Sequence, residues 1–385
     1  MPADAPPLES NSKDVVFPPY RRWLQVLAFL LVLGTFGLVA IGGTVTSYDE
    51  GMAVPGGFDT FGYWSLTAPL YVWWHDFGTW IEHSHRLKGY VVGWLTIGVL
   101  VGVLLTQRRR RWVKVLGWVL LVYVIAQGVL GILRVDQVSL FLAGVHGVTG
   151  QIFFALTVLM AAALGKRWMS REAEQRSSGQ RVIGRLPWAM WVFIGLLLTQ
   201  LALGSSIRHG QASLAIPDWP LHYGQLVPPM DQAGIDAAVA ALPADVQSQQ
   251  REAMLGEPVE AWRVHLHLTH RVGAYATLAF GVGFLFWAWR RWRDGAVRRI
   301  VLLVGGLLGV QVLLGVWTVL SGVYPPMATL HQTVGAVLLG ASVWLGVRMK
   351  LVAITEGAAK RPLVDSRKLQ LPRESSRGSG GAVAA

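Results

Sequence analysis

Stretches of about twenty apolar residues recur along this chain, and nothing else in it restricts the fold so severely. A helix needs roughly 20 apolar residues to cross a hydrocarbon core. In lipid, only helices and closed barrels satisfy their own backbone polar groups. Eight such segments are read near residues 24–46, 87–106, 112–133, 146–165, 187–207, 272–289, 300–321 and 331–350. Charged residues make up 15% of the chain, against about 25% in a soluble domain. Trp23, Trp112, Trp188 and Trp289 stand at segment ends, where an amphipathic ring meets the headgroups. The expected fold class is an all-α integral membrane protein with eight transmembrane helices.

The net charge of +12 is sorted by loop. Arg108–Arg111 and Lys114 fall between segments two and three. Lys166, Arg167, Arg171, Arg176, Arg181 and Arg185 fall between four and five, and Arg290, Arg291, Arg293, Arg298 and Arg299 between six and seven. The opposite loops hold Arg134, Arg208, Arg251 and Arg263, with Arg86, Lys88 and Arg271 at helix starts. Basic loops stay cytoplasmic, so both termini are expected there, with long loops 47–84 and 208–264 outside. The charge is thus a topology signal, and no nucleic-acid partner is expected. The chain has no cysteine, which excludes disulfides and thiolate metal sites. Asp4, Glu9 and Asp14 argue against a mitochondrial transit peptide, so segment one reads as a retained helix.

The chain also repeats itself. His85-Arg86-Leu87-Lys88-Gly89-Tyr90 matches His270-Arg271-Val272-Gly273-Ala274-Tyr275 at an offset of 185, and His146 and His331 each follow 61 residues later. Gly150 and Gly335 keep the offset, and Gln127 with Gly131 matches Gln311 with Gly315 within one residue. In the outward loops, Met52-Ala53-Val54-Pro55 resembles Leu214-Ala215-Ile216-Pro217 at an offset of 162. The second loop is therefore longer, with a helical excursion expected around 230–256. The chain divides into two pseudo-symmetric four-helix bundles, 23–165 and 187–350. A cytoplasmic N-terminal segment (1–22), a cytoplasmic linker (166–186) and a disordered cytoplasmic tail (351–385) complete it.

A helix pair returns the chain to the same membrane face, so the 61-residue spacing brings His85 and His146 to one depth, and His270 and His331 likewise. Two facing imidazoles suit the axial positions of a haem, whereas zinc or copper recruits further ligands. Arg86, Lys88 and Arg271 are cations where the charge bias disfavours them. Haem propionates would pair with them; snorkelling to headgroups is the plainer alternative. His75, His83, His209, His222 and His265 read as ordinary loop or interface residues. Three residues before His85 stands Glu82, and the equivalent before His270 is His267. A carboxylate beside a haem can act as acid, base or charge stabiliser, so Glu82, His85 and His146 form the candidate catalytic set. A bis-histidine cytochrome that only passes electrons shares this ligation. A transporter fits less well, since its polar residues gather near the midplane.

Glu82-His83-Ser84-His85-Arg86, His146, His270-Arg271 and His331, with Pro217-Asp218-Trp219-Pro220-Leu221, Pro228-Pro229 and Gly42-Gly43-Thr44, make the chain similar to the haem A synthase family over roughly residues 25–350. The resemblance implies a bacterial inner-membrane enzyme that oxidises a methyl of haem O to a formyl group, giving haem A for cytochrome oxidase. It implies a resident haem b on His270 and His331 and substrate haem O on His85 and His146. Glu82 would be the functional acid, and Arg86 and Arg271 would bind the cofactor. Haem O synthase, cytochrome oxidase assembly factors and membrane lipid are the partners it suggests, with an oligomer allowed. Some family members carry a cysteine pair flanking the Pro-Asp-Trp-Pro-Leu stretch. Ile216 and His222 stand there instead, so no thiol role is needed.

Overall fold

The computed structural model describes residues 17–177 and 186–359. The helices long and apolar enough to cross a membrane number eight among them. They are α1 (Arg22–Ser47), α3 (Phe77–Thr106), α4 (Arg111–Asp136), α5 (Leu140–Ala163), α7 (Trp188–His209), α10 (Ala261–Arg291), α11 (Gly295–Leu320) and α12 (Pro325–Ala359). The chain is an all-α, multi-pass membrane protein. Shorter pieces fill the loops: strands β1 (Asp59–Thr60) and β2 (Tyr63–Trp64), and helices α2 (Leu70–Trp73), α6 (Lys166–Ser177), α8 (Gln232–Ala240) and α9 (Ala244–Ala253). The last two are the excursion expected around 230–256.

Helix starts are set by local chemistry. Asp76 caps α3 by accepting the Thr79 amide at 2.9 Å, which holds its carboxyl below the usual carboxylate range. Ser139 caps α5 and Asp294 caps α11 in the same way. Pro187 precedes α7, and Pro325 opens α12, where a missing N–H costs nothing.

Each half packs as a closed ring of four helices. In the first, α1 meets α3, α3 meets α4, α4 meets α5 and α5 returns to α1; in the second, α7, α10, α11 and α12 follow the same circuit. Leu24, Leu31, Val99, Val103, Leu120 and Met160 fill the first ring. Met190, Phe193, Phe284, Val304, Leu308 and Leu345 fill the second. The rings meet through α1 against α12, α5 against α7, and α5 against α12. The last pair joins equivalent helices, so the pseudo-twofold passes between α5 and α12, the helices that carry His146 and His331.

Four helices begin earlier than their hydropathy suggests. The spans expected to start near 87, 146, 272 and 331 start at Phe77, Leu140, Ala261 and Pro325. The histidines therefore sit one to three turns inside their helices rather than at the ends. Apolar counting stops at Glu82, His85 and Arg86, whereas the backbone continues, with Glu82 and Arg86 bonded to the overlying loop. The tail expected to be disordered from 351 is helical to Ala359, and α6 occupies much of the expected linker. The remaining parts of the terminal and linker expectations (1–16, 178–185 and 360–385) lie outside the described residues.

Candidate functional site

His85 on α3 and His146 on α5 face each other, with ring centroids 6.4 Å apart and planes at 82°. His270 on α10 and His331 on α12 likewise feel each other electrostatically. Each of the four rings is half-buried, and each Nδ1 is buried without a hydrogen bond of full geometry, although the Leu38, Gln127 and Gln311 backbones lie within reach of the His85, His146 and His331 rings. The four rings occupy matching positions in the two halves.

Glycines make room for all four rings. A Cβ at Gly42 would stand 2.9 Å from His85 Cε1, and one at Gly315 equally close to His331 Cε1. At Gly131 and Gly204 the corresponding gaps to His146 and His270 are 3.5 Å. Gly42 and Gly204 are equivalent in the repeat, as are Gly131 and Gly315. Each half thus presses two imidazoles against bare backbone.

The separation of the first pair allows a fit test. Two metal–imidazole bonds of about 2.0–2.1 Å, with a ring radius of about 1.1 Å at each end, span about 6.3 Å. That is close to the 6.4 Å between the His85 and His146 ring centroids. Among the described residues no group of three or more His, Asp or Glu could hold an ion alone, and a pair of imidazoles suits a metal whose other ligands come from a macrocycle, as in haem.

Around the first pair, the loop after α1 is fastened to α3 by one two-pronged clamp. The Val54 amide donates to Glu82 Oε2 at 2.8 Å, and Arg86 Nη2 donates to the Val54 carbonyl and to Glu82 Oε1, both at 2.9 Å. Arg86 Nη1 adds the Asp59 carbonyl at 2.7 Å. The second half repeats the clamp. The Ile216 amide lies 3.2 Å from His267 Nδ1, and Arg271 Nη2 donates to the Ile216 carbonyl at 2.9 Å. Arg271 Nε also lies 3.3 Å from His267 Nε2. A neutral imidazole has one acceptor nitrogen, and the shorter amide contact, matched by Glu82, takes it.

Arg86 and Arg271 donate from their Nη groups to the Val54, Asp59, Ile216 and Leu221 carbonyls. Glu82 is helical and 1% exposed. Lys88 is exposed, its Nζ beside Gly37 on α1. His83 also departs from the ordinary, because it bonds Thr60 at 3.0 Å and stacks on Trp73, tying the 58–74 segment down.

Sequence reasoning passed over Arg134 as one more loop charge and read His209 as a loop or interface residue. Arg134 ends α4 one turn beyond Gly131. It makes no ion pair among the described residues, and its Nε is buried without a partner. A Cβ on Gly51 would stand 2.9 Å from its Nη1, so the loop backbone rests on the guanidinium. It interacts electrostatically with His85, His146 and Glu82. His209, from α7 of the other half, packs near Gly144 on α5 and within electrostatic reach of His146. The usable signal lay in the repeat: Gln127 and Gln311 align at 184, and at that offset Arg134 meets Thr318.

In the second outer loop, Asp218 accepts the Tyr223 and Gly224 amides, each at 2.8 Å. Burial pushes the Tyr223 phenol up to about 12, keeping it a donor to the Ala215 carbonyl. Gln250 from the excursion donates to the Leu214 carbonyl at 3.0 Å, so α9 braces the clamped strand of loop.

Comparison with known proteins gives a consistent picture. Residues 70–343 match COX15-CtaA, described as cytochrome oxidase assembly protein. Heme A synthase of Caulobacter vibrioides is 25% identical over 359 residues, covering 86% of this chain and 96% of that protein. Heme A synthase of Novosphingobium aromaticivorans is 28% identical over 379 residues, covering 88% and 97%. Heme A synthase of Symbiobacterium thermophilum is 30% identical over 193 residues, covering 49% and 60%.

Proposed function

Since the chain belongs to the COX15-CtaA family of cytochrome oxidase assembly proteins, we propose that it is a haem A synthase, an oxidoreductase that converts one ring methyl of haem O to a formyl group by successive hydroxylations. The observation that carries this reading is the His85–His146 pair, with ring centroids 6.4 Å apart and no third protein ligand among the described residues. His85 and His146 take the iron of substrate haem O in the half spanning 23–165. His270 and His331 would hold a resident haem b in the half spanning 187–350. The bound substrate supplies the iron and the methyl group to be oxidised.

The chain's own residues position and enclose that substrate. Gly42 and Gly131 let the two imidazoles bring their Cε1 edges against helix backbone. The clamped loop holds Gly51 and Gly57 onto the end of α4 and excludes water beside the reacting edge. Glu82 contributes the negative charge there, as proton acceptor or charge stabiliser. Arg134 is the group that meets a substrate carboxylate, in place of Arg86, because a buried cation demands a partner. A cytochrome that only passes electrons shares the ligation, but Glu82 and Arg134 favour the enzyme. The second half has His267 and Thr318 in their places.

The direct test is co-expression with a haem O synthase, followed by haem extraction and mass analysis. Haem A is expected to accumulate; haem O recovered unchanged would overturn the assignment. Replacing Arg134 by Thr, the residue of the other half, should weaken first-site haem binding roughly 10–100-fold, as loss of a charged hydrogen bond does. Lys there should be intermediate. Spectroscopic titration reads both, and an unaltered affinity in Arg134→Thr removes the carboxylate contact.

The termini and basic loops lie on the cytoplasmic side of the bacterial inner membrane, and substrate arrives from a haem O-forming enzyme in the same membrane. A reporter fused at Gly234 is expected to register outside, and one at Arg108 inside. The reverse pattern would invert the topology.

A further inference from the structure

At the lysine- and arginine-rich face, a cavity of about 560 Å³ opens between the two halves. It lies where the end of α5 and the start of α6 approach α11 and α12. Lys166, Arg167, Arg299 and Arg348 line it, with Gln25 and Trp168. No acidic side chain lines it. Arg348 is the most enclosed of the four, its side chain 13% exposed, and its nearest carboxylate, Asp294, is 3.8 Å away. That is too long for a hydrogen bond. Arg167 and Arg299 stand close enough to Arg348 for mutual repulsion. The acids on neighbouring α6 are already engaged, Glu172 with Arg110 and Glu174 with Arg171. Four cations thus share one hollow, and among the described residues the carboxylate paired with them is Asp294, 3.8 Å from Arg348 and already bonded to the Ala296 and Val297 amides.

The wall beneath the cations has the opposite character. Leu303 and Trp344 line the same cavity and are exposed, 46% and 42%, on lipid-facing helix surface. A free anion would have no use for that wall, whereas a molecule with a charged head and apolar chains would use both. Basic pockets between transmembrane helices bind anionic headgroups for this reason, and the tryptophans stand at the depth where such rings anchor. We infer that this cavity is a binding site for one anionic phospholipid, its phosphate among Arg167, Arg299 and Arg348 and its acyl chains along α11 and α12. Such a lipid would bridge the halves, since its ligands come from α6 on one side and from α11 and α12 on the other.

The test uses the purified full chain in mild detergent, with bound lipid identified by mass. Phosphatidylglycerol added to delipidated protein should be retained in preference to phosphatidylcholine. Each cation removed should weaken retention about five-fold, so the combined Arg167→Gln, Arg299→Gln and Arg348→Gln variant should lose it. A control with Arg108→Gln, Arg111→Gln and Arg293→Gln removes three exposed cations of the same face outside the cavity and should retain the lipid. If the triple variant is poorly folded, Arg299→Gln alone, at an exposed position, should still show the five-fold loss. Equal loss in control and cavity variants would reduce the effect to general surface charge and overturn the site. Inorganic phosphate displacing the lipid at millimolar concentration would overturn the lipid assignment in favour of a free anion.

Discussion

Alanine at His85 or His146 is expected to abolish haem A formation while leaving the haem of the second half in place. Each imidazole would supply one ligand to the iron, and no third protein ligand stands beside the pair among the described residues. The glycine behind each ring also offers no substitute donor. Substrate would then bind by its macrocycle and carboxylates alone, and conversion should fall below detection when extracted haem is analysed. Alanine at His270 or His331 should do the converse to the resident group, stripping most haem b from the purified protein, as judged by the low-spin absorption band. Equal loss of haem from both sets of variants would remove the division of labour and leave two equivalent sites.

Glu82 carries the second large effect, and the clamp dictates how it must be tested. Glu82→Ala removes a carboxylate that both Val54 and Arg86 use. Leaving a buried amide donor unsatisfied costs about 1–3 kcal/mol, and an unpaired Arg86 adds to that. Loss of activity in Glu82→Ala is therefore ambiguous between chemistry and loop detachment. Glu82→Gln is the sharper variant, because its amide oxygen can still accept the Val54 N–H while the charge is gone. Haem A output should fall about 10²–10⁴-fold, the usual cost of losing a general base, with haem O or a hydroxylated intermediate in its place. Second-half haem content should stay unchanged. Haem A formed at the unmodified rate by Glu82→Gln would make the residue a loop fastener only.

Much of this was legible because spacing survives where contacts do not show. The histidines could be paired from their 61-residue intervals, since antiparallel helices convert equal spacing into equal depth. The eight spans could be read because lipid demands long apolar runs. The outer ends could not, because hydropathy treats Glu82 and Arg86 as terminators, although their partners are backbone groups of Val54 and Asp59 that carry no sequence signal. For the same reason the loop carbonyls that Arg86 and Arg271 hold could not be named. Arg134 looked like one more loop charge until its burial and its missing partner were seen. The glycines were visible as repeated letters, but their purpose depends on which ring lies across the gap.

The twin clamps separate mechanical duty from chemical identity. At positions 82 and 267 the loop asks only for a lone pair aimed at one amide, and a carboxylate and an imidazole meet that request equally. The arginine one turn later secures the same peptide's oxygen whichever acceptor is present. A duplicated gene could therefore exchange an ionised side chain for a neutral one here without refolding the loop above it. The two copies were left free to diverge in electrical character while keeping one architecture. Grafting should follow the same logic: Glu at position 267 would inherit a ready-made socket, with Arg271 as its counter-ion.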